Sequence, residues 1–142
     1  MAQIKLSISI DAPAEKVYPL VATARGFTQW WAADVTESDG VVALGFFKRA
    51  TVYRLQLTRS VECRTAEWRC LSGYEWADTR ILFELLESNG KTLLRFFHAD
   101  WKDETDYFVA CTTTWGELVF RVKAAAEGKS PGPLFSADAM AY

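Results

Sequence analysis

Residues 107–127 read YFVACTTTWGELVFRVKAAAE, and this stretch decides the fold. Its apolar residues recur at intervals of three and four, the spacing that places side chains on one face of an α-helix. That face consists of Phe108, Cys111, Trp115, Leu118 or Val119, Val122 and Ala125 or Ala126. A helix that is apolar along its whole length needs a large surface to cover it. We therefore predict one long terminal helix packed against a sheet.

The residues before this helix supply the sheet, because they alternate with the two-residue period of β-strands. Ile4, Leu6, Ile8 and Ile10 form the first such series. Five further strands are predicted at 40–46, 51–58, 64–70, 79–86 and 92–98, and the Asn-Gly pair at 89–90 favours a tight hairpin. Their inward faces are predicted to carry Tyr53, Leu55, Leu57, Ala66, Trp68, Cys70, Ile81, Phe83, Leu85, Leu94, Phe96 and His98.

Two short helices are expected after the first strand. Asp11 is placed to cap the first one, with Pro13 in its first turn and Glu15 near its positive end. Pro19 predicts a kink, after which a second helix covers 23–29.

The chain beyond the terminal helix reads differently. Gly128 suits the left-handed residue that ends a helix, and Pro131 and Pro133 prevent its continuation. We expect the tail at 129–142 to be loosely ordered.

The predicted class is α+β, with a curved antiparallel sheet of about six or seven strands wrapped on the terminal helix.

The amino-acid composition limits the class of protein, its partners and its location. Half of its 142 residues are hydrophobic and 14% are aromatic, enough for the core of one domain over residues 1–142. The net charge of −2 provides no cationic excess for nucleic acid. No apolar run approaches the roughly 18 residues of a membrane span. We expect a cytoplasmic protein without nucleic-acid or membrane partners, either a monomer or a homodimer.

The cysteines and the single histidine limit the chemistry. Cys63, Cys70 and Cys111 are odd in number and lack metal-site spacing, which fits buried thiols in a reducing compartment. His98 is the only histidine, so a zinc site lacks ligands and a nucleophilic pair would have to be His98 with Cys111. We predict no metal, no cofactor and no catalytic residue; His98 is the candidate if the protein is an enzyme, and a hydrogen-bonding role for it is preferred.

Several segments carry a resemblance to a known family. They are IDAPAEKV at 10–17, QWW at 29–31, EWADTRI at 75–81, FEL at 83–85, LRFFHADW at 94–101, the helix around Trp115 and GKSP at 128–131. In this order they resemble the activator-of-heat-shock-protein-90-ATPase-homologue-like family, a branch of the START-like (SRPBCC) helix-grip superfamily. The resemblance implies a strand, two short helices, a six-strand meander and a long terminal helix, which together enclose a hydrophobic cavity.

The function is left between alternatives. The leading prediction is binding of a small hydrophobic or aromatic ligand, because large rings lie on faces predicted to point inward. The predicted ligand-binding residues are Trp30, Tyr53, Trp68, Trp76, Phe83, Phe96, His98, Cys111 and Trp115. The resemblance also allows a co-chaperone-like interaction module with a chaperone partner, or a polyketide-cyclase-like enzyme. A cavity of roughly 300 Å³ or more would favour ligand binding, and a filled core would favour the interaction module.

Overall fold

The computed structural model describes residues 2–138, which form seven strands and three helices. In chain order the elements are β1 Ala2–Ile10, α1 Ala14–Ala22, α2 Ala24–Phe27, β2 Asp34–Ser38, β3 Val41–Phe46, β4 Thr51–Val61, β5 Thr65–Ser72, β6 Arg80–Ser88, β7 Lys91–Trp101 and α3 Asp106–Ala126. The predicted α+β class, with two short helices and one long terminal helix, is confirmed.

The strands form one curved antiparallel sheet in the order β1-β7-β6-β5-β4-β3-β2. Strands β2 to β7 make the predicted meander, and β1 pairs with β7 at one edge. The hairpin between β6 and β7 turns at Asn89 and Gly90, which have φ angles of 54° and 76°. Both lie in the left-handed region that an Asn-Gly hairpin favours. Strand β2 is short and polar, so the alternation of apolar residues does not delimit it.

One face of the sheet and one face of α3 are buried against each other. The predicted inward residues of β5, β6 and β7 are buried, and so are Tyr53 and Leu55 of β4, whereas Leu57 is half-buried. Helix α3 buries the predicted stripe, and its Trp115 packs on Phe96 with ring centroids 4.3 Å apart. Thr105 caps α3 by accepting from the Phe108 amide at 3.2 Å, and Gly128 follows it with a φ of 82°.

The start of α1 differs from the prediction. Asp11 does not cap it; the Ala14 amide instead donates to the carboxylate of Glu87, 2.7 Å away at the end of β6. The Asp11 amide donates to Glu127 just beyond α3. Glu15 lies in the first turn as predicted, and Glu87, which is distant in sequence, adds a second negative charge at this helix terminus.

The break between α1 and α2 also differs from the prediction. Pro19 lies inside α1, and the chain leaves helical geometry at Thr23, whose φ and ψ are −138° and 154°. The Thr23 hydroxyl then accepts from the Gly26 amide at 2.9 Å and so caps α2. A short polar side chain that caps the second helix decides the position of the break.

The tail is tied down over part of its length. Phe135 forms a parallel bridge with Ala32, and the Lys48 amide donates to the Ala137 carbonyl at 2.8 Å. Backbone hydrogen bonds thus hold residues 134–137, and the loose order expected for the tail at 129–142 stays a prediction. Residues 139–142 lie outside the described residues.

Candidate functional site

A small apolar cavity lies between α3 and the sheet. Its volume is about 10 Å³, which is close to the space of a single water molecule. It is lined by Trp31, Phe46, Tyr53, Trp76, Cys111, Thr114, Trp115, Leu118 and Phe135. The inside of the grip is therefore filled by side chains, far below the roughly 300 Å³ of a typical ligand pocket.

The structure brings four of the nine predicted site residues to this cavity: Tyr53, Trp76, Cys111 and Trp115. The other five are buried in the surrounding core, and they are Trp30, Trp68, Phe83, Phe96 and His98. As ligand contacts all nine remain predictions. Their positions separate the residues that reach the cavity from those that support its walls.

Trp30 and Trp68 hold the end of α1. The Trp30 indole donates to the Leu20 carbonyl at 2.8 Å, and the Trp68 indole donates to the Val21 carbonyl at 2.9 Å. The last carbonyls of a helix have no partner within the helix, so these bonds satisfy groups that burial would otherwise leave unpaired. Both indole N–H groups are occupied by the protein itself.

His98 is fully buried behind the cavity wall, and both of its ring nitrogens are engaged. Thr79 Oγ1 donates to the Trp76 carbonyl at 2.6 Å, so the same oxygen accepts from His98 Nε2 at 2.8 Å. His98 Nδ1 accepts from the Trp115 indole at 3.1 Å. This chain of donors and acceptors requires the neutral tautomer with the proton on Nε2. Burial lowers the pKa of His98 to about 3, which agrees with a neutral ring.

Tyrosine and cysteine give the cavity its polar edge. The Tyr53 hydroxyl lies 2.5 Å from the Tyr107 hydroxyl. Burial raises the pKa of Tyr53 to about 12 and that of Cys111 to about 11, and it also raises the pKa of Tyr107. All three groups are neutral at physiological pH. The site therefore offers hydroxyl and thiol groups and no formal charge.

Trp76 is different, because its indole nitrogen is buried without a hydrogen-bond partner among residues 2–138. The indole N–H lies near the Cys111 sulfur and would stabilise a thiolate there, which acts to lower the pKa of Cys111 against the larger effect of burial. The thiol is neutral, however, and a neutral thiol is a weak hydrogen-bond acceptor. Among residues 2–138, Trp101 carries the other buried indole nitrogen without a hydrogen-bond partner, and its side chain does not line this cavity. A buried donor without an acceptor is costly, so the Trp76 N–H marks a place for an acceptor.

Sequence reasoning did not select five of the lining residues: Trp31, Phe46, Thr114, Leu118 and Phe135. Trp31 had a usable signal, because it stands beside Trp30 in an apolar pair at the end of a short helix. Phe135 had none, since it lies in a tail without periodicity. Among residues 2–138 no cluster of three or more histidine, cysteine or acidic side chains is arranged to hold a metal ion.

The chain superposes on several solved structures over most of its length. Aha1 from Colwellia psychrerythraea, solved as a dimer in solution, superposes with a TM-score of 0.80 and 26% identity, covering 91% of this chain and 98% of that chain. CalU16 from Micromonospora echinospora gives 0.71 and 17%, covering 92% of this chain and 77% of that one. DynU16, encoded in the dynemicin biosynthetic locus, gives 0.72 and 16%, covering 94% of this chain and 50% of that one.

The chain has the helix-grip fold. The predicted resemblance is confirmed, since Aha1 is among the structures to which this helix-grip chain is similar. No protein-family model matches the chain, and no curated protein matches it. The helices described between residues 2 and 138 include none that is long and apolar enough to cross a membrane.

Proposed function

We propose that this helix-grip chain binds a small, largely apolar ligand between α3 and the sheet. The observation that carries the proposal is that Trp76, whose buried indole N–H has no hydrogen-bond partner among residues 2–138, lines a largely apolar cavity. A ligand with one carbonyl or hydroxyl oxygen would satisfy this donor while its remaining surface contacts aromatic side chains. Such a pairing of one polar anchor with apolar walls is typical of small-molecule sites.

The small volume of the cavity limits how such a ligand enters. With about 10 Å³ of free space, no ligand fits beside the side chains in the conformation described. Binding therefore requires a lining residue to move, and the ligand is restricted to about the size of the group that moves. A large lipid with two acyl chains is not a suitable occupant.

The proposed location of the protein is the cytoplasm, in keeping with its three free thiols.

The proposal is tested by ligand retention and by a matched pair of tryptophan variants. Native mass spectrometry of the purified chain and a thermal-shift screen of aromatic compounds should reveal a binder. For that compound, Trp76→Phe is expected to weaken binding about tenfold through loss of one buried hydrogen bond. Trp101→Phe, which also removes an unpartnered indole but not from this cavity, should leave affinity unchanged. A screen without any binder, or equal effects of the two variants, would contradict the proposal.

A second candidate is a protein-interaction module with a co-chaperone-like role. The filled interior favours it, and so does the similarity to Aha1. Val109 and Phe120, 59% and 64% exposed, lie on the outward face of α3 and offer apolar surface to a partner. Purified heat-shock protein 90 should then bind the chain at micromolar concentration and hydrolyse ATP faster. Phe120→Asp should abolish both effects, and sedimentation velocity should show whether the chain is a monomer or a homodimer.

A further inference from the structure

The tail lies over the cavity and is held there by its backbone. The Leu134 amide donates to the Trp30 carbonyl at 3.1 Å, and the Phe135 amide donates to the Trp31 carbonyl at 3.0 Å. In return the Ala33 amide donates to the Phe135 carbonyl at 2.9 Å. These three bonds fix the position of Phe135 directly beside the wall residue Trp31.

The side chain of Phe135 completes the cavity wall. Its ring is half-buried and meets the ring of Phe46 edge to face, with centroids 5.5 Å apart. Six of the other eight lining residues belong to the sheet or to α3. Trp31 and Trp76 lie in connections between two elements, whereas Phe135 lies in the tail after α3. Phe135 can therefore leave the cavity without breaking a strand or a helix, and unlike Trp31 and Trp76 it does not connect two of the cavity's neighbouring elements.

The turn that contacts the tail is strained. Phe47, Lys48 and Arg49 have φ angles of 52°, 53° and 68°, in the left-handed region that is unfavourable for residues other than glycine. The middle residue of this run, Lys48, donates its amide to the Ala137 carbonyl. The strained turn is therefore joined to the tail, and release of the tail would free the turn to relax.

We propose that residues 133–138 occupy the entrance of the site as an intramolecular stand-in for the ligand. The Phe135 ring lies where a ligand ring would lie, so the ligand class is a planar aromatic molecule of one or two rings. A carbonyl or hydroxyl oxygen on that molecule accepts from the Trp76 indole. This inference rests on the proposed ligand binding, and it adds that the tail competes with the ligand and lowers its apparent affinity.

Labelling of Cys111 tests the role of the tail without any ligand. Cys111 lines the cavity and is 1% exposed, whereas Cys70 is equally buried but does not line it. In Phe135→Ala, methyl methanethiosulfonate should modify Cys111 about tenfold faster than in the unmodified chain, as peptide mass spectrometry can measure. A tenfold change corresponds to about 1.4 kcal/mol of tail association. Cys70 should be unaffected, and Leu86→Ala, which truncates an exposed residue of β6 that does not line the cavity, should change neither rate.

Binding of 1-naphthol, followed by tryptophan fluorescence, tests the ligand class. Phe135→Ala should bind it about tenfold more tightly than the unmodified chain, with Phe135→Leu in between; Phe135→Leu replaces the alanine variant if that one unfolds. Equal naphthol affinity in all three proteins would overturn the stand-in role, as would acceleration of Cys70 and Cys111 labelling together. Faster Cys111 labelling without naphthol binding by any variant would support the tail as a cover and overturn the aromatic ligand class. Failure of the wider ligand screen would overturn the proposed function separately.

Discussion

The indole nitrogen of Trp115 donates a 3.1 Å hydrogen bond to Nδ1 of His98, which joins α3 to β7 inside the core. The other ring nitrogen of His98 continues the connection to Thr79, just before β6. An aromatic core contacts a helix in many rotational positions with similar energy, whereas this pair of hydrogen bonds is satisfied in one. His98 is therefore the residue that sets the rotation of α3 over the sheet.

Replacement of His98 by leucine is expected to lower the free energy of unfolding by about 2 to 4 kcal/mol. The change leaves the Trp115 indole and the Thr79 hydroxyl without their buried partner. Urea denaturation measures the loss. Trp115→Phe removes the donor on the other side, and the double variant should lose clearly less than the two single losses combined. Additive losses would show that the pair is not coupled.

His98 also makes stability depend on pH in a defined direction. Its pKa is about 3 in the folded chain, against an ordinary value of 6.5. Between these values the unfolded chain binds a proton that the folded chain does not. Stability therefore falls as the pH is lowered through 6.5, by about 1.4 kcal/mol per pH unit.

The comparison variant for this effect is His98→Gln, which keeps a donor and an acceptor but does not titrate in this range. Urea midpoints between pH 7 and pH 4 should decline less steeply for the variant than for the unmodified chain. Parallel declines would contradict a buried neutral histidine, because the carboxylates that also titrate there are common to both proteins.

The three thiols should react unequally. Burial raises the pKa of Cys70 to about 12 and that of Cys111 to about 11, so both are protonated at pH 8. Cys63 is half-buried in the turn between β4 and β5. Ellman's reagent at pH 8 should therefore modify Cys63 in the folded chain and reach the other two cysteines only after denaturant is added. Cys63→Ser should abolish the reaction of the folded chain, and prompt reaction of all three thiols would contradict the burial of Cys70 and Cys111.

Two glycines provide a matched test of the helix contacts. A Cβ at Gly26 would lie 2.1 Å from the Pro19 carbonyl oxygen and 2.6 Å from Leu20 Cα, both of which are backbone atoms of α1. Gly26→Ala should therefore cost about 3 kcal/mol or more, because backbone has to move. A Cβ at Gly116 would meet nothing within 4 Å, so Gly116→Ala in the middle of α3 should stabilise the chain by about 0.5 to 1 kcal/mol. Thermal melts that show the same sign for both variants would contradict this packing.

The sequence was informative wherever a single physical period applied. Alternation predicted the strand segments from residue 40 onward, and the spacing of Phe108, Cys111 and Trp115 predicted the buried face of α3. Turn chemistry at Asn89 and Gly90 was equally local, since it depends on two adjacent residues. The residues that determine these elements lie within a few positions of one another in the sequence.

The site was less predictable because it depends on contacts between distant segments. The sequence indicates that Trp30, Trp68 and Trp76 are buried, yet it does not show that the first two donate to α1 carbonyls while the third has no acceptor. It also gives no sign that Phe135 closes the cavity, because that position depends on hydrogen bonds to residues about 100 places earlier in the chain. Burial could be predicted from side-chain type, but hydrogen-bond partners could not.

The cap that Glu87 places on α1 has a consequence for the order of folding. This carboxylate and the Ala14 amide are 73 residues apart, and the Asp11 amide meets Glu127 across 116 residues. The first residues of the chain therefore reach these partners only after a large loop has closed. Closing that loop costs conformational entropy before the contacts that offset it can form. As the chain leaves the ribosome, β1 and α1 emerge long before β7 and α3, to which they bind. We expect a nascent chain that ends before residue 91 to lack both β7 and α3, which leaves β1 without its pairing strand and open to proteolysis.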